Sequence, residues 1–263
     1  MQHFIVIGNP INHSKSPEIH HAFAASVGLP ICYQRQLCPD NFDSFVAVVL
    51  AFFAGGGKGA NVTLPFKQMA HQLVQSQGEI SDDARHAGAV NTLMIKNGKL
   101  YGDNTDGRGL VADLQAHGIT LANKKVAIIG AGGATRGAIL PLLSTGCSLD
   151  IYNRTIDKAR QLLEQFNHPA LSARPLSDLT TARYDLIINA TSATTTGQTL
   201  TLGNCQASAA YDMMYGKPSE FLAHFQHQGA ATFDGFGMLI QQAKLSFELW
   251  TGKMLDLDKI TLP

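Results

Sequence analysis

Val126-Ala-Ile-Ile-Gly130-Ala131-Gly132-Gly133-Ala134-Thr-Arg-Gly137 is the stretch that decides the fold. Four apolar residues run without alternation into glycine, the pattern of a short strand buried on both faces. Gly130 permits a tight turn, Gly132 lets the backbone approach a pyrophosphate, and the small residues beyond allow a helix to pack close to the strand. The start of that helix offers free N–H groups and partial positive charge to phosphates. A glycine turn can also do nothing more than pack a helix on a strand. Its place between two good strands favours the dinucleotide site.

The next strand, Leu149–Tyr152, indicates which dinucleotide. An NAD site usually ends this strand in an acid that bonds the ribose 2′-hydroxyl. Here it ends in Asn153-Arg154-Thr155, with Lys158 one turn on, a set of donors suited to a 2′-phosphate. Asp150 is the nearby acid, and it lies three residues too early. The bland alternative makes Arg154 and Lys158 solvated residues at a helix start, an end that disfavours cations. NADP is the expected cofactor. Further strands at Asp185–Asn189, Ala209–Met213 and Ala231–Phe233 complete a βα repeat, which implies a parallel, doubly wound sheet.

Upstream, the chain reads as a smaller α/β region. Phe4–Ile7, Ile31–Leu37 and Gly59–Leu64 are expected strands. Helices are expected from Ser16, as N-cap, to about Val27, over Phe42–Ala54, and from Pro65. Ala89–Lys96 and Lys99–Gly102 read as a hairpin on Asn97-Gly98. A helix from about Thr105 to Ala116 leads to the glycine strand, and an apolar helix over Met238–Trp250 follows Gly237. The expected division is 1–104 for a substrate-binding α/β domain, 105–235 for a Rossmann-like domain, and 236–263 for a helix that packs back on the first.

Composition narrows the function classes. With 263 residues, 20 basic and 20 acidic side chains, the chain has no net field for nucleic acid or an anionic membrane. No apolar run reaches the length of a membrane span, and the start, MQHFIVIGNP, reads as a strand rather than a signal peptide. The four cysteines lack metal-type spacing and read as reduced thiols of a cytoplasmic protein. The pairs His20/His21 and His224/His227 lack companion ligands, so no metal is expected.

Three polar clusters in the first region resist explanation as packing, although each has a plain reading. Asn12-His13-Ser14-Lys15-Ser16-Pro17 sets two hydroxyls two residues apart, with Ser16 serviceable as a cap. Asn61-Val-Thr63-Leu-Pro-Phe-Lys67 carries a lysine in the first turn of a helix. Asn91-Thr92 opens a strand, and Gly102-Asp103-Asn104-Thr105-Asp106-Gly107 could be an Asx turn capped by Asn104 or Thr105.

Together these segments resemble the shikimate dehydrogenase family over nearly the whole chain. The resemblance is carried by Ser14-Lys-Ser16-Pro17, Asn61-Val-Thr63-Leu-Pro-Phe-Lys67, Gly88-Ala-Val-Asn91-Thr, Asn104-Thr-Asp106-Gly, Gly130-Ala-Gly-Gly-Ala134, Asn153-Arg-Thr155, Asn189-Ala190-Thr191-Ser192, Tyr211-Asp-Met-Met-Tyr215 and Gly237-Met-Leu-Ile-Gln-Gln242. It implies NADP-dependent, reversible reduction of 3-dehydroshikimate to shikimate, in chorismate and aromatic amino acid biosynthesis. It also implies that Ser14 and Ser16, with Tyr215 nearby, hold the substrate carboxylate. Thr63, Lys67, Asn91, Asp106 and Gln242 would surround the ring hydroxyls, with Lys67 and Asp106 as the catalytic pair. Asn189, Ala190, Thr191, Ser192, Met213 and Gly235 would join the glycine turn and Asn153, Arg154, Thr155 and Lys158 in holding NADP. The last helix would return to the first domain and set Gln242 opposite Ser14 across an interdomain cleft.

The chemistry suits these residue types. Reducing a ring ketone needs hydride at carbon and a proton at oxygen, which a lysine can donate. The positive end of a helix would favour loss of the Lys67 proton, and Asp106 would oppose it. His13 competes as proton carrier by residue type, although a loop histidine contacting the Ser14 turn is the favoured reading.

Three positions depart from the usual pattern: Lys15 between the serines, Arg108 after Asp106-Gly107, and Thr194-Thr195-Thr196-Gly197 after Ser192. The first two are expected to bring charge to the mouth of the site. Two other functions fit less well: a quinate/shikimate dehydrogenase with relaxed cofactor choice, and a non-catalytic dinucleotide-binding redox sensor. Partners are expected to be the small-molecule substrate alone, with monomer and homodimer both open.

Overall fold

A computed structural model of the chain describes residues 1–193 and 199–262. The chain divides into two compact units, Met1–Gly109 with Ile240–Pro263, and Leu110–Leu239. The passages between units fall inside two helices, α5 (Asp106–Ala116) after Gly109 and α9 (Phe236–Thr251) after Leu239.

In the first unit the elements run β1 (Gln2–Gly8), α1 (Ser16–Ser26), β2 (Ile31–Leu37), α2 (Phe42–Ala54), β3 (Gly59–Val62), α3 (Lys67–Gln77), β4 (Gly78–Ile80), α4 (Asp82–Ala87), β5 (Thr92–Lys96) and β6 (Lys99–Asp103). They form a mixed sheet of order β2-β1-β3-β5-β6-β4. β1 pairs in parallel with β2 and β3, and β5 runs antiparallel to both β3 and β6. Asn97 and Gly98 have φ of 53° and 76°, so both central residues of the hairpin take the left-handed conformation that this two-residue turn requires. Ile5, Ile7, Val62, Phe45, Phe66 and Leu73 form the core against which α2 and α3 pack, with the Phe45 and Phe66 rings stacked at 5.3 Å.

Two expected helix starts move. Ser16 is the first helical residue of α1, and Lys15 holds the cap position without a side-chain cap bond. The capping hydroxyl is Ser14, whose Oγ accepts the Ser16 N–H at 3.3 Å. The helix expected from Pro65 starts at Lys67, because Phe66 N bonds back to Thr63 O at 2.9 Å and closes a separate turn first.

The second unit contains β7 (Lys125–Ile129), α6 (Gly133–Leu143), β8 (Ser148–Asn153), α7 (Ile156–Phe166), β9 (Leu171–Pro175), β10 (Arg183–Asn189), β11 (Gln206–Asp212), α8 (Glu220–Gln226), β12 (Ala231–Asp234) and the start of α9. Its sheet, ordered β12-β11-β10-β7-β8-β9, is parallel throughout. Val126 and Ile128 enter one hydrophobic cluster and Ala127 and Ile129 another. Burial on both faces is why β7 reads as an unbroken apolar run. The strand order reverses between β7 and β10, the switch point at which such sheets bind ligands.

Candidate active site

The expected cofactor residues gather at the carboxyl ends of the parallel strands. Gly130 leaves β7 with φ of +109°, and Thr135 Oγ1 donates to its carbonyl at 2.9 Å. Gly132 caps α6, and a β-carbon placed on either Gly132 or Gly133 would meet nothing within 4 Å. The backbone of Gly132, Gly133 and Ala134 is thus open to a ligand, with the N–H groups of the first helical turn beside it.

At the end of β8, Asn153 Nδ2 donates to Thr155 O at 2.8 Å and closes the turn that carries Arg154. Arg154, Thr155 and Lys158 are exposed, and neither cation pairs with an acid among the described residues. Asp150 is engaged elsewhere: its Oδ2 accepts Arg174 Nε at 2.8 Å and the Tyr184 hydroxyl at 2.5 Å. A cradle of bare glycine backbone flanked by two uncommitted cations fits a pyrophosphate and a 2′-phosphate.

From β10, buried Asn189 fixes the opposite wall. Its Oδ1 accepts from Thr191 N at 3.0 Å and Thr191 Oγ1 at 2.7 Å, and its Nδ2 donates to Asp212 Oδ1 at 3.2 Å. Asp212 in turn accepts from Met214 N and from Ser219 Oγ. Met213 N bonds to Asn189 O at 2.9 Å, and Gly235 lies so near Met213 that a β-carbon would reach its carbonyl at 2.2 Å. Asp212, absent from the sequence-based set, therefore joins the loops after β10 and β11. Ala190 and Ser192 flank Thr191 in sequence, whereas residues 194–197, where the pattern departs from the family's, lie outside the described residues.

The catalytic candidates meet within the first unit. Lys67 opens α3, and its Nζ donates to Asp106 Oδ2 at 2.6 Å across 39 positions of sequence. The two side chains keep 28% and 19% of their surface, enough for a substrate to reach them. Backbone bonds hold the pair together: Val90 N to Lys67 O at 2.9 Å, and Asn91 N to Asp103 O at 3.0 Å. Asn91 Nδ2 donates to Asp106 Oδ1 at 2.8 Å and its Oδ1 accepts from Thr105 N at 3.0 Å. The Asx turn is made by Asn104, whose Oδ1 accepts from Asp106 N at 3.1 Å. Gln242 Oε1 accepts from Asn91 Nδ2 at 3.3 Å and Thr105 Oγ1 at 3.4 Å. Thr63 directly follows β3, four residues before Lys67.

Ser14 Oγ donates to Ser16 Oγ at 3.2 Å, so the two hydroxyls form a pair. Beneath them lies a buried network: the Tyr33 hydroxyl donates to Asn61 Oδ1 at 2.7 Å, and Asn61 Nδ2 donates to Ser246 Oγ at 3.1 Å. Burial holds the Tyr33 phenol well above its ordinary value, with the Ser16 side chain opposing. Tyr33 and Ser246 were not among the sequence candidates, and Asn61 entered only as the first residue of a motif. Their partners lie 28 and 185 positions away, and no local pattern reports such pairs.

Four further residues have definite places in the structure. Gln242 belongs to the same unit as Ser14 and Asn91, on the part of α9 from Ile240 onward. Tyr215 belongs to the other unit, where it packs on Phe236 and burial raises its phenol. Arg108 brings no free charge to the site: Asp83 Oδ2 lies 2.8 Å from its Nε, and Asp103 takes its Nη2. His13 is exposed, and Asp106 pairs with Lys67.

A parallel sheet with an open glycine cradle at its switch point, in a chain that also carries a lysine–carboxylate pair, defines a dinucleotide-dependent oxidoreductase. The comparisons with known proteins are specific. Residues 6–93 match the shikimate dehydrogenase substrate binding domain, 112–206 the shikimate/quinate 5-dehydrogenase model, and 235–261 the shikimate 5′-dehydrogenase C-terminal domain. A shikimate dehydrogenase (NADP(+)) of Psychrobacter cryohalolentis is 52% identical over 99% of this chain and 96% of its own. One from Acinetobacter baumannii is 46% identical over 95% of each. Among solved structures, an Ael1 enzyme from Pseudomonas putida matches with a TM-score of 0.91 at 38% identity, over 100% of this chain and 99% of that one. Shikimate 5-dehydrogenase from Thermus thermophilus, in complex with NADP(H) and shikimate, matches at 0.86 and 32% identity over 98% and 97%. The chain belongs to the shikimate dehydrogenase family.

Proposed function

We propose that this chain reduces 3-dehydroshikimate to shikimate with NADPH, reversibly, and that Lys67 and Asp106 carry the proton transfer. The observation behind the proposal is the 2.6 Å pair of Lys67 Nζ and Asp106 Oδ2, held by Asn91 beside Gln242. NADPH, when bound, supplies the hydride to the ring carbonyl carbon. The Lys67 ammonium gives its proton to the oxygen as the carbonyl becomes an alcohol, and in the reverse direction the free amine takes that proton back. Asp106 fixes the ammonium and accepts from a ring hydroxyl. Asn91, Thr63 and Gln242 bond the remaining hydroxyls, and Ser14 and Ser16, with Tyr215, take the carboxylate. A ring of buried polar groups is left unpaired by an analogue that lacks a hydroxyl, which can discriminate by about 10⁴-fold.

On the cofactor side, Gly130, Ala131, Gly132, Gly133 and Ala134 take the pyrophosphate, and Asn153, Arg154, Thr155 and Lys158 the 2′-phosphate. Asn189, Ala190, Thr191, Ser192, Met213 and Gly235 line the nicotinamide end. Among the described residues no helix is long and apolar enough to cross a membrane. The reading places the chain in the cytoplasm, where thiols such as Cys38, Cys147 and Cys205 stay reduced.

The test is the appearance of NADPH absorbance when shikimate and NADP+ are added, compared with NAD+ and with quinate in all combinations. Shikimate with NADP+ should give the highest rate. Equal rates with quinate or NAD+ would favour the relaxed dehydrogenase, and no rate with any pair would favour the sensor.

A further inference from the structure

Strand β2 presents two side chains to the turn that bears the serine pair. Residues two apart on a strand share a face, and Tyr33 and Arg35 do so. Tyr33 stacks on His20 at 4.4 Å and reaches Asn61. Arg35 donates twice to a single backbone atom, the carbonyl of Ser14, from Nε at 2.9 Å and from Nη2 at 2.5 Å. The same Nη2 lies 2.5 Å from Glu18 Oε1, in the first turn of α1. The guanidinium thus ties the residue before the helix to the helix itself, with Lys15, Ser16 and Pro17 in the span between.

We infer that Arg35 is a positioning residue that sets carboxylate recognition, by fixing the Ser14 backbone so that its hydroxyl stands paired with that of Ser16. The inference rests on the reading that these hydroxyls hold the substrate carboxylate. Two hydroxyl donors recognise two carboxylate oxygens only at a fixed separation, and the Ser14 hydroxyl moves with its own backbone. No helical hydrogen bond fixes that backbone, because Ser14 precedes α1. Ser14 N bonds Ile11 O at 3.0 Å on one side, and Arg35 holds the carbonyl on the other. The effect is geometric rather than Coulombic, since Glu18 offsets the guanidinium charge. A lysine at 35 could not reproduce two N–H bonds from a planar fork.

The experiment compares kcat/KM for shikimate and for its methyl ester, with NADP+ affinity as a control, in the wild type and in Arg35→Gln and Arg35→Lys. The wild type should prefer the acid. Both variants should lose about tenfold or more on the acid while the ester changes far less, so that the preference collapses. A loss in stability alone would lower both substrates together and leave the ratio intact. Wild-type preference kept in either folded variant overturns the inference and leaves the carboxylate reading standing. A wild type that treats acid and ester alike overturns that reading, and the inference with it. Should Arg35→Gln fail to fold, Arg35→Lys decides alone.

Discussion

Gly130 packs so closely under Thr191 that a β-carbon on it would lie 3.1 Å from Thr191 Cγ2, whereas one on Gly132 would meet nothing within 4 Å. The two glycines therefore serve different ends. Gly130 also holds a φ of +109°, which side chains with a β-carbon rarely adopt. Gly130→Ala should destabilise the fold by about 1–3 kcal/mol, through strain and overpacking. Gly132 is an extended cap residue, where alanine should cost at most about 1 kcal/mol. Its methyl group would instead stand where a pyrophosphate approaches. Thermal melting and NADP+ titration of the two variants should separate: Gly130→Ala lowers the melting temperature, and Gly132→Ala weakens binding with melting nearly unchanged.

Cofactor choice is expected to depend on Arg154. Its charge is uncommitted, while the one acid of β8, Asp150, is occupied by Arg174 and Tyr184. Arg154→Ala should raise KM for NADP+ by about 10- to 100-fold, the worth of a charge-assisted hydrogen bond, and leave KM for NAD+ nearly unchanged. Equal effects on both cofactors would show that the residue does not meet the 2′-phosphate.

His20 gives the first unit an acid limit. It is fully buried among Tyr33, Phe23, Phe247 and Trp250. Burial pushes the imidazole from 6.5 down to about 3, with Asn61 opposing and His21 adding to the shift. Between these values the unfolded chain binds a proton that the folded chain refuses, so stability falls as pH drops below about 6.5, with a limiting slope near 1.4 kcal/mol per pH unit. Asp83 and Asp113, raised mainly by burial, act in the opposite sense. Chemical denaturation of the wild type and His20→Phe between pH 7 and 4.5 isolates the histidine. The variant should show the shallower decline, and parallel curves would exclude His20 as the cause.

The parts of this fold that could be read from sequence are those where burial and turn chemistry act locally. β7 is apolar because both its faces are covered, and the hairpin turn is Asn97-Gly98 because both residues take positive φ. β4 escaped reading because it has three residues and none is fully buried. β9 escaped because it is an edge strand that ends in Arg174-Pro175. α4 left a signal that a closer reading finds: Ser81 caps it, Asp82 and Asp83 fill its first turn, and Gly88 ends it at φ of 62°. In the site, the motifs supplied Lys67 and Asp106, but not what holds the groups around them. Ser246 bonds Thr92 at 2.7 Å across 154 positions, and Arg35 bonds Ser14 across 21. Such contacts exist only once the sheet has formed.

The most direct test is single-turnover and steady-state kinetics of Lys67→Ala beside NADP+ binding. With the cofactor site intact, NADP+ should bind as in the wild type. Shikimate oxidation should fall by about 10²-fold or more, the usual contribution of a general acid–base group. Undiminished oxidation by a folded Lys67→Ala variant would contradict the account, because the proton would then have another carrier.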